Sequence, residues 1–261
     1  MMNRRSLISL LYLAGMGTAM HATAAGALEA IERTKEVRIA VPSDTPPFGF
    51  QSADGQLRGL DIDMANLVAA RLGAKAKLVV VSSGERIPAL QQDKVDLVIS
   101  TLGKNAEREK LIDFAKDYSS FYLAVFGPKS IAAAAAGDLA GKTVAVTRGS
   151  IEDQELTKVA PTGARIERFD NVSTALKAYS SGKTQLLAAG VSVAAAATQT
   201  NPSLEADAKF ILKDSRNFIG VKKGEDALRN RVDQIVDEAK ASGELLALGR
   251  KWFSRTGLAQ R

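Results

Sequence analysis

The sequence predicts an α/β protein made of two successive strand–helix series, with one more strand and its helices after them. Three patterns predict it. From Glu36 onward, short β-branched runs alternate with segments of helical periodicity, as in a mainly parallel sheet covered by helices. A second series of the same kind follows the apolar run Phe121 to Phe126, and the chain then returns to a strand, Phe218 to Lys222, ahead of an amphipathic helix.

The elements follow in order. Val37 to Val41 reads as the first strand, and Pro46-Pro47 ends it in a loop. Asp61 reads as the N-cap of a helix whose apolar residues Met64, Leu67, Val68 and Leu72 recur at helical spacing, with Gly73 just past its end. Strands are expected at about Ala76 to Val81 and Val95 to Ser100, separated by a helical Ile87 to Gln91. The alanine run Ala132 to Ala136 reads as the start of a short helix, since alanine has the highest helix propensity. The second series holds a strand at Thr143 to Thr147, a helix from Ser150, a strand near Ile166, a helix from Ser173 to Tyr179 ending at Gly182, and a strand at Leu186 to Ala188. After the strand Phe218 to Lys222, the residues Leu228, Val232, Ile235, Val236 and Ala239 make one apolar helical stripe that stops at Gly243. The final helical piece, Leu245 to Phe253, carries Trp252, which reads as a packing anchor rather than a stacking platform.

With 261 residues, 46% of them hydrophobic, the chain can bury one large core or two smaller ones. The formal charge of +6 comes from 35 basic and 29 acidic residues that interleave without a long basic block, so a nucleic-acid partner is not expected. The start differs from the rest: Asn3-Arg4-Arg5, an apolar run from Leu7 to about Met20, and the small residues Ala22-Thr23-Ala24-Ala25. That is the pattern of a secretory signal peptide over residues 1–25, cleaved near Ala24 or Ala25, and the apolar run is too short to span a bilayer. There is no cysteine, and the single histidine, His21, lies in the signal. Disulfides, thiol nucleophiles, Ser-His-Asp catalysis and an ordinary zinc site are thereby excluded, and no cofactor is expected.

Several segments together carry a resemblance. They are Pro46-Pro47-Phe48-Gly49-Phe50, then Gly59-Leu60-Asp61-Ile62-Asp63-Met64-Ala65-Asn66-Leu67, then Arg86-Ile87-Pro88-Ala89-Leu90 and Lys94-Val95-Asp96-Leu97-Val98-Ile99-Ser100. After them come Arg108-Glu109-Lys110-Leu111-Ile112-Asp113-Phe114, Tyr118 and Lys251-Trp252-Phe253. In this order they resemble the polar amino-acid-binding solute receptors of ABC transporters. The resemblance covers nearly the whole mature chain. It implies a type II periplasmic binding fold: two lobes, two crossover hinge strands and a ligand in the interlobe cleft. The crossings are expected near Leu123 to Val125 and near Phe218 to Ile219. Lobe one then joins 26–124 with 219–261, and lobe two is 125–218. A periplasmic location, a membrane permease partner and a monomer are likewise implied.

The resemblance also implies a site. Arg108, eight residues after Ser100, matches the family's carboxylate-binding arginine, and a guanidinium can give a carboxylate two parallel hydrogen bonds. Ser100, Thr101 and Gly103 match positions that present hydroxyl and backbone donors. Gly149 and Ser150 sit at a strand-to-helix turn, where an anion is favoured, although Ser150-Ile151-Glu152-Asp153 equally reads as a capping sequence. The family's aspartate for the ligand ammonium is replaced by Gly190, so either Glu152, Asp153 or Asp44 reaches the amine or the ligand lacks one. Thr45 and Ser83 stand where relatives often carry aromatic rings, and Phe48 lines the pocket or the core.

The function expected is a receptor that closes over a small carboxylate-bearing ligand, an amino acid or a close relative. Two alternatives stay open at this point: a dehydratase-like enzyme on the same fold with Glu152 or another cleft carboxylate as general acid, and a sensory module for a membrane receptor.

Overall fold

The computed structural model describes residues 26–253, so the signal-peptide segment lies outside the described residues. Helix α1 (Ala27–Thr34) leads into strand β1 (Glu36–Val41), and β2 (Asp44–Thr45), β3 (Gly49–Gln51) and β4 (Leu57–Arg58) then form a small antiparallel sheet. Next come α2 (Leu60–Arg71), β5 (Lys75–Val80), α3 (Arg86–Gln91), β6 (Leu97–Leu102), α4 (Ala106–Glu109) and the long β7 (Ile112–Gly127). The second series is β8 (Thr143–Thr147), α5 (Ile151–Val159), β9 (Arg165–Phe169), α6 (Val172–Ser180), β10 (Leu186–Gly190) and α7 (Val191–Thr200). The equally long β11 (Asp207–Lys222) then runs back to α8 (Asp226–Ala241) and α9 (Glu244–Phe253).

The main sheet has the order β5-β1-β6-β11-β7-β10-β8-β9. Strands β5, β1 and β6 are mutually parallel, as are β10, β8 and β9, and the two parallel sets are joined only through the antiparallel pair β7 and β11. Strand β6 meets β11 between Phe218 and Val221, and β10 meets β7 between Leu123 and Phe126. Between these pairings, Ser119, Ser120 and Phe121 pair with Asn217, Arg216 and Ser215 in a two-stranded ribbon. The sheet is therefore continuous in hydrogen bonds, yet the cores on its two sides are distinct. On one side Leu60, Met64 and Val68 of α2 and Val232, Ile235 and Val236 of α8 pack on Ile39, Leu97 and Ile99. On the other, Ala175 and Tyr179 of α6 and Val193 and Ala194 of α7 pack on Ala124, Phe126 and Leu187. Further clusters, around Leu90 and Val98 and around Leu156 and Val146, cover the opposite faces. Strands buried on both faces are what the near-continuous apolar runs encode.

The structure departs from the sequence expectations in several places. Asp61 is not the N-cap of α2: Gly59 is, at φ 135, where a Cβ would lie 2.0 Å from the carbonyl oxygen of Phe48. The alanine run starts no α-helix; only a short 3-10 turn forms, over Ala136–Leu139, because Pro128 and Gly137 bracket a stretch too short to propagate. Strands β7 and β11 extend far beyond Phe121 to Phe126 and Phe218 to Lys222, and α7 was not foreseen. Trp252 packs edge-on to Phe50 and donates its indole N–H to Asp63 at 2.7 Å, the anchoring role its sequence context suggests.

Candidate functional site

A cleft partly open to solvent lies at the carboxyl ends of the parallel strands, where open α/β sheets gather ligands. Thr45, Phe48, Ser83, Arg86 and Thr101 line it from the first series, Phe121 from the ribbon, and Thr147, Ser150, Glu152 and Gly190 from the second. The second series also supplies an apolar wall of Val172, Ala175, Leu176, Leu187 and Val193. Phe48 serves core and cavity at once, with its ring 5.4 Å from that of Phe253 and 5.9 Å from that of Phe121.

The polar floor is built on β6. Its last residues leave the sheet at Thr101, whose φ of 42 turns the chain. The turn is held by Asp61, which is wholly buried and accepts from the Thr101 N–H and the Tyr118 hydroxyl, both at 2.8 Å. Burial pushes the Asp61 carboxyl up to about 7, against the opposing pull of those two hydrogen bonds and of Arg86. Burial likewise raises the Tyr118 phenol well above its usual range. Arg86, at the first turn of α3, donates through Nε to Ser100 at 3.1 Å and through Nη2 to Thr101 at 2.9 Å. Only 4% of it is exposed, and burial lowers its pKa, with Glu152 and Asp61 as the leading opposite charges. Ser100 thus reaches the cavity only through Arg86.

Arg108 is placed differently. It is 3% exposed and stands behind the cavity, outside its lining, with Nη1 donating to the Gly103 carbonyl at 2.7 Å and Nη2 to the Gly149 carbonyl at 3.0 Å. Those carbonyls belong to the first and second series, so the guanidinium ties the two together. Its Nε is buried without a hydrogen-bond partner. Burial, then the nearby Arg86 charge, lowers its pKa to about 10. Neither Glu107 nor Glu109 pairs with it; they bind Lys110 and Lys104 instead.

The other expected residues separate into two groups. Thr45, Phe48, Ser83, Thr101, Ser150, Glu152 and Gly190 line the cavity. Ser150 does so while also capping α5 through the Asp153 N–H. Asp153 faces elsewhere: its carboxylate accepts from Gly149 N–H and pairs with Arg168 at 2.8 Å. Asp44 accepts from the Ser173 N–H at 3.1 Å, a contact between the two series. Gly103 and Gly149 act at the junction, where a Cβ on the first would meet Ile151 at 3.2 Å and one on the second would meet the Gly84 Cα at 3.0 Å. Arg86, Thr147 and Phe121 were missed. The signal for Arg86 was present, because it heads the segment Arg86-Ile87-Pro88, where proline sits in the first turn of a helix and aims that end at the sheet.

Comparison with known proteins agrees with this architecture. The model of the bacterial extracellular solute-binding proteins, family 3, matches residues 37–255. An L-arginine-binding protein of Pseudomonas aeruginosa is 28% identical over 84% of this chain and 88% of its own length. An ABC transporter glutamine-binding protein of Bacillus subtilis is 27% identical over 87% of this chain and 84% of its own. Among solved structures, a solute receptor for L-cysteine of Neisseria gonorrhoeae superimposes with a TM-score of 0.83 at 28% identity, covering 88% of this chain and 94% of that one.

Proposed function

The chain belongs to family 3 of the bacterial extracellular solute-binding proteins, and from that membership we propose that it binds an amino acid or a close relative by closing two lobes and passes it to an ABC-transporter permease. It is a solute-binding receptor and not an enzyme. The type II fold, with β7 and β11 as the crossover strands, supplies the means of closure. The lobes divide within the ribbon of Ser119 to Phe121 against Ser215 to Asn217, a few residues before the 124/125 and 218/219 boundaries expected from the sequence, because Leu123 to Phe126 pair with β10 and Ala124 packs in the second core. The protein is exported to the periplasm after cleavage near Ala24 or Ala25 and works there as a monomer.

The observation that carries this reading is the cavity between two separately packed cores, with a buried guanidinium on its wall and a second one bridging behind it. Buried arginines without carboxylate partners call for an anion. The ligand's carboxylate is held by Arg86, Thr101 and Ser150, with Arg108 completing the positive field. The names of the three relatives, which carry arginine, glutamine and cysteine, support an amino-acid ligand and leave the side chain open.

A thermal-shift screen of the mature protein against the twenty L-amino acids tests it. A ligand at 100 times its Kd adds about 2.7 kcal/mol of stability, so one or a few members should raise the melting temperature, with saturable calorimetric binding and no turnover. A protein stabilised by none of them would not be an amino-acid receptor.

A further inference from the structure

The second series brings to the cleft an apolar wall that the carboxylate-binding reading leaves unexplained. Val172, Ala175 and Leu176 recur at i, i+3 and i+4 and so share one face of α6, the face that Tyr179 continues into the second core. Leu187 of β10 and Val193 of α7 stand beside them, and Phe121 closes the wall from the ribbon. A Cβ at position 190 would lie 3.2 Å from the Phe121 ring, so Gly190 is what lets that ring come up against β10. Val172, Leu176 and Phe121 are only partly buried and keep apolar surface open toward the cleft.

This wall offers a ligand nothing polar. None of its six side chains can donate or accept a hydrogen bond. The backbone of β10 is paired with β7 on one side and β8 on the other, and the N–H groups of Ser173 and Thr174 in the first turn of α6 are held by Asp44 and Asn171. The charged side chains that line the cleft come from elsewhere, Arg86 from α3 and Glu152 from α5. The hydroxyls of the lining, on Thr45, Ser83, Thr101, Thr147 and Ser150, also lie outside α6, α7 and β10.

We infer that this wall seats the side chain of the ligand, with Val172 and Leu176 as its specificity-determining residues, so that the receptor selects apolar side chains over amide, hydroxyl or charged ones of similar size. The inference rests on the proposed receptor function and deepens it, and it sets this chain apart from the relatives named for arginine and glutamine. With the ligand's carboxylate at Arg86, Thr101 and Ser150, the remainder of the molecule faces the second series. An apolar side chain laid on the wall takes both surfaces out of water. An amide or a charge in the same place gives up its hydration and finds no partner there.

The test is titration calorimetry of the mature protein against the twenty L-amino acids, followed by the native chain, Val172→Thr and Leu176→Asn against matched pairs. The pairs are valine and threonine, leucine and asparagine, and methionine and glutamine, alike in size and different in polarity. The tightest ligand of the native chain should carry an apolar side chain, and in the tightest-binding pair the apolar member should outbind its match by at least about tenfold. Both substitutions should cut that ratio severalfold by weakening the apolar member alone, whereas a merely structural role would weaken both members equally. Val172→Thr keeps the shape of the side chain, so it decides the matter even where Leu176→Asn melts at a lower temperature. A tightest ligand that is glycine or carries a charged, amide or hydroxyl side chain would overturn the inference, as would an unchanged ratio in Val172→Thr; in either case the receptor reading stands. A native chain that binds none of the twenty would overturn the receptor reading first and this one with it.

Discussion

Asp61 carries a heavy electrostatic cost, because its carboxylate is wholly buried with two neutral donors and one guanidinium nearby. Its carboxyl in the folded chain titrates near 7, above the ordinary carboxylate value. The folded state therefore holds a proton that the unfolded chain releases. The stability Asp61 contributes is full below about pH 4, falls as pH rises toward about 7, and is level above that, at about 1.4 kcal/mol per tenfold change in the proton equilibrium. In Asp61→Asn this decline should vanish, so the difference in urea midpoint between the native chain and the variant should shrink from pH 4 to pH 7. A difference that stays constant with pH would show that Asp61 is ionised throughout. Arg86→Lys should weaken amino-acid binding by about tenfold or more, because an ammonium cannot donate to Ser100, Thr101 and a carboxylate in the geometry of a planar fork; calorimetry reads this directly. The site was legible in part for a related reason. Sequence marks which residue types suit a turn or a helix end, as with Ser150 and Glu152. Which of two arginines, Arg86 or Arg108, enters the cavity depends on side-chain direction from elements far apart in the chain.

At the level of elements, the junction between the two series rests on backbones that approach closely. Gly149, at φ 69, lies so near Gly84 that a Cβ would reach the Gly84 Cα at 3.0 Å. Gly149→Ala should lower the ligand-free melting temperature by a few degrees through strain at positive φ. It should also weaken binding by about tenfold, because the halves cannot meet as closely. A normal calorimetric affinity in that variant would remove this contact from closure. The buried strands and amphipathic helices were readable because burial imposes a period, as in β8 and α8. The outer reaches of β7 and β11 were not. Asp113, Lys116 and Asp117 in one, and Lys213, Asp214 and Arg216 in the other, interrupt the apolar pattern, in β7 alternating irregularly with the buried Ile112, Ala115 and Tyr118. Helix α7 hid for the opposite reason: its alanines and serine carry no contrast between faces.

For the whole molecule, the consequence is mechanical. Two cores are joined by one ribbon, in which the buried Asn217 side chain donates to the Ser119 hydroxyl at 2.9 Å. Contacts that span the gap, Arg108 to the Gly149 carbonyl, Asn105 to Gln154 at 2.6 Å and Asp44 to the Ser173 N–H, exist only while the lobes are together. A neutral contact of this kind is weak alone, and the one from the buried Arg108 cation contributes more. A ligand that pairs the cavity charges shifts the balance by its differential affinity for the closed form. Small-angle scattering should therefore show the radius of gyration contract when the tightest amino acid is added, at unchanged mass by light scattering. Arg108→Ala should bind at least about 2 kcal/mol more weakly, having lost a buried cation that touches both lobes, and should contract only at correspondingly higher ligand concentration. If that variant bound and contracted as the native chain does, the Gly103–Arg108–Gly149 bridge would be a passive packing contact, and the energy of closure would have to come from the cavity charges alone.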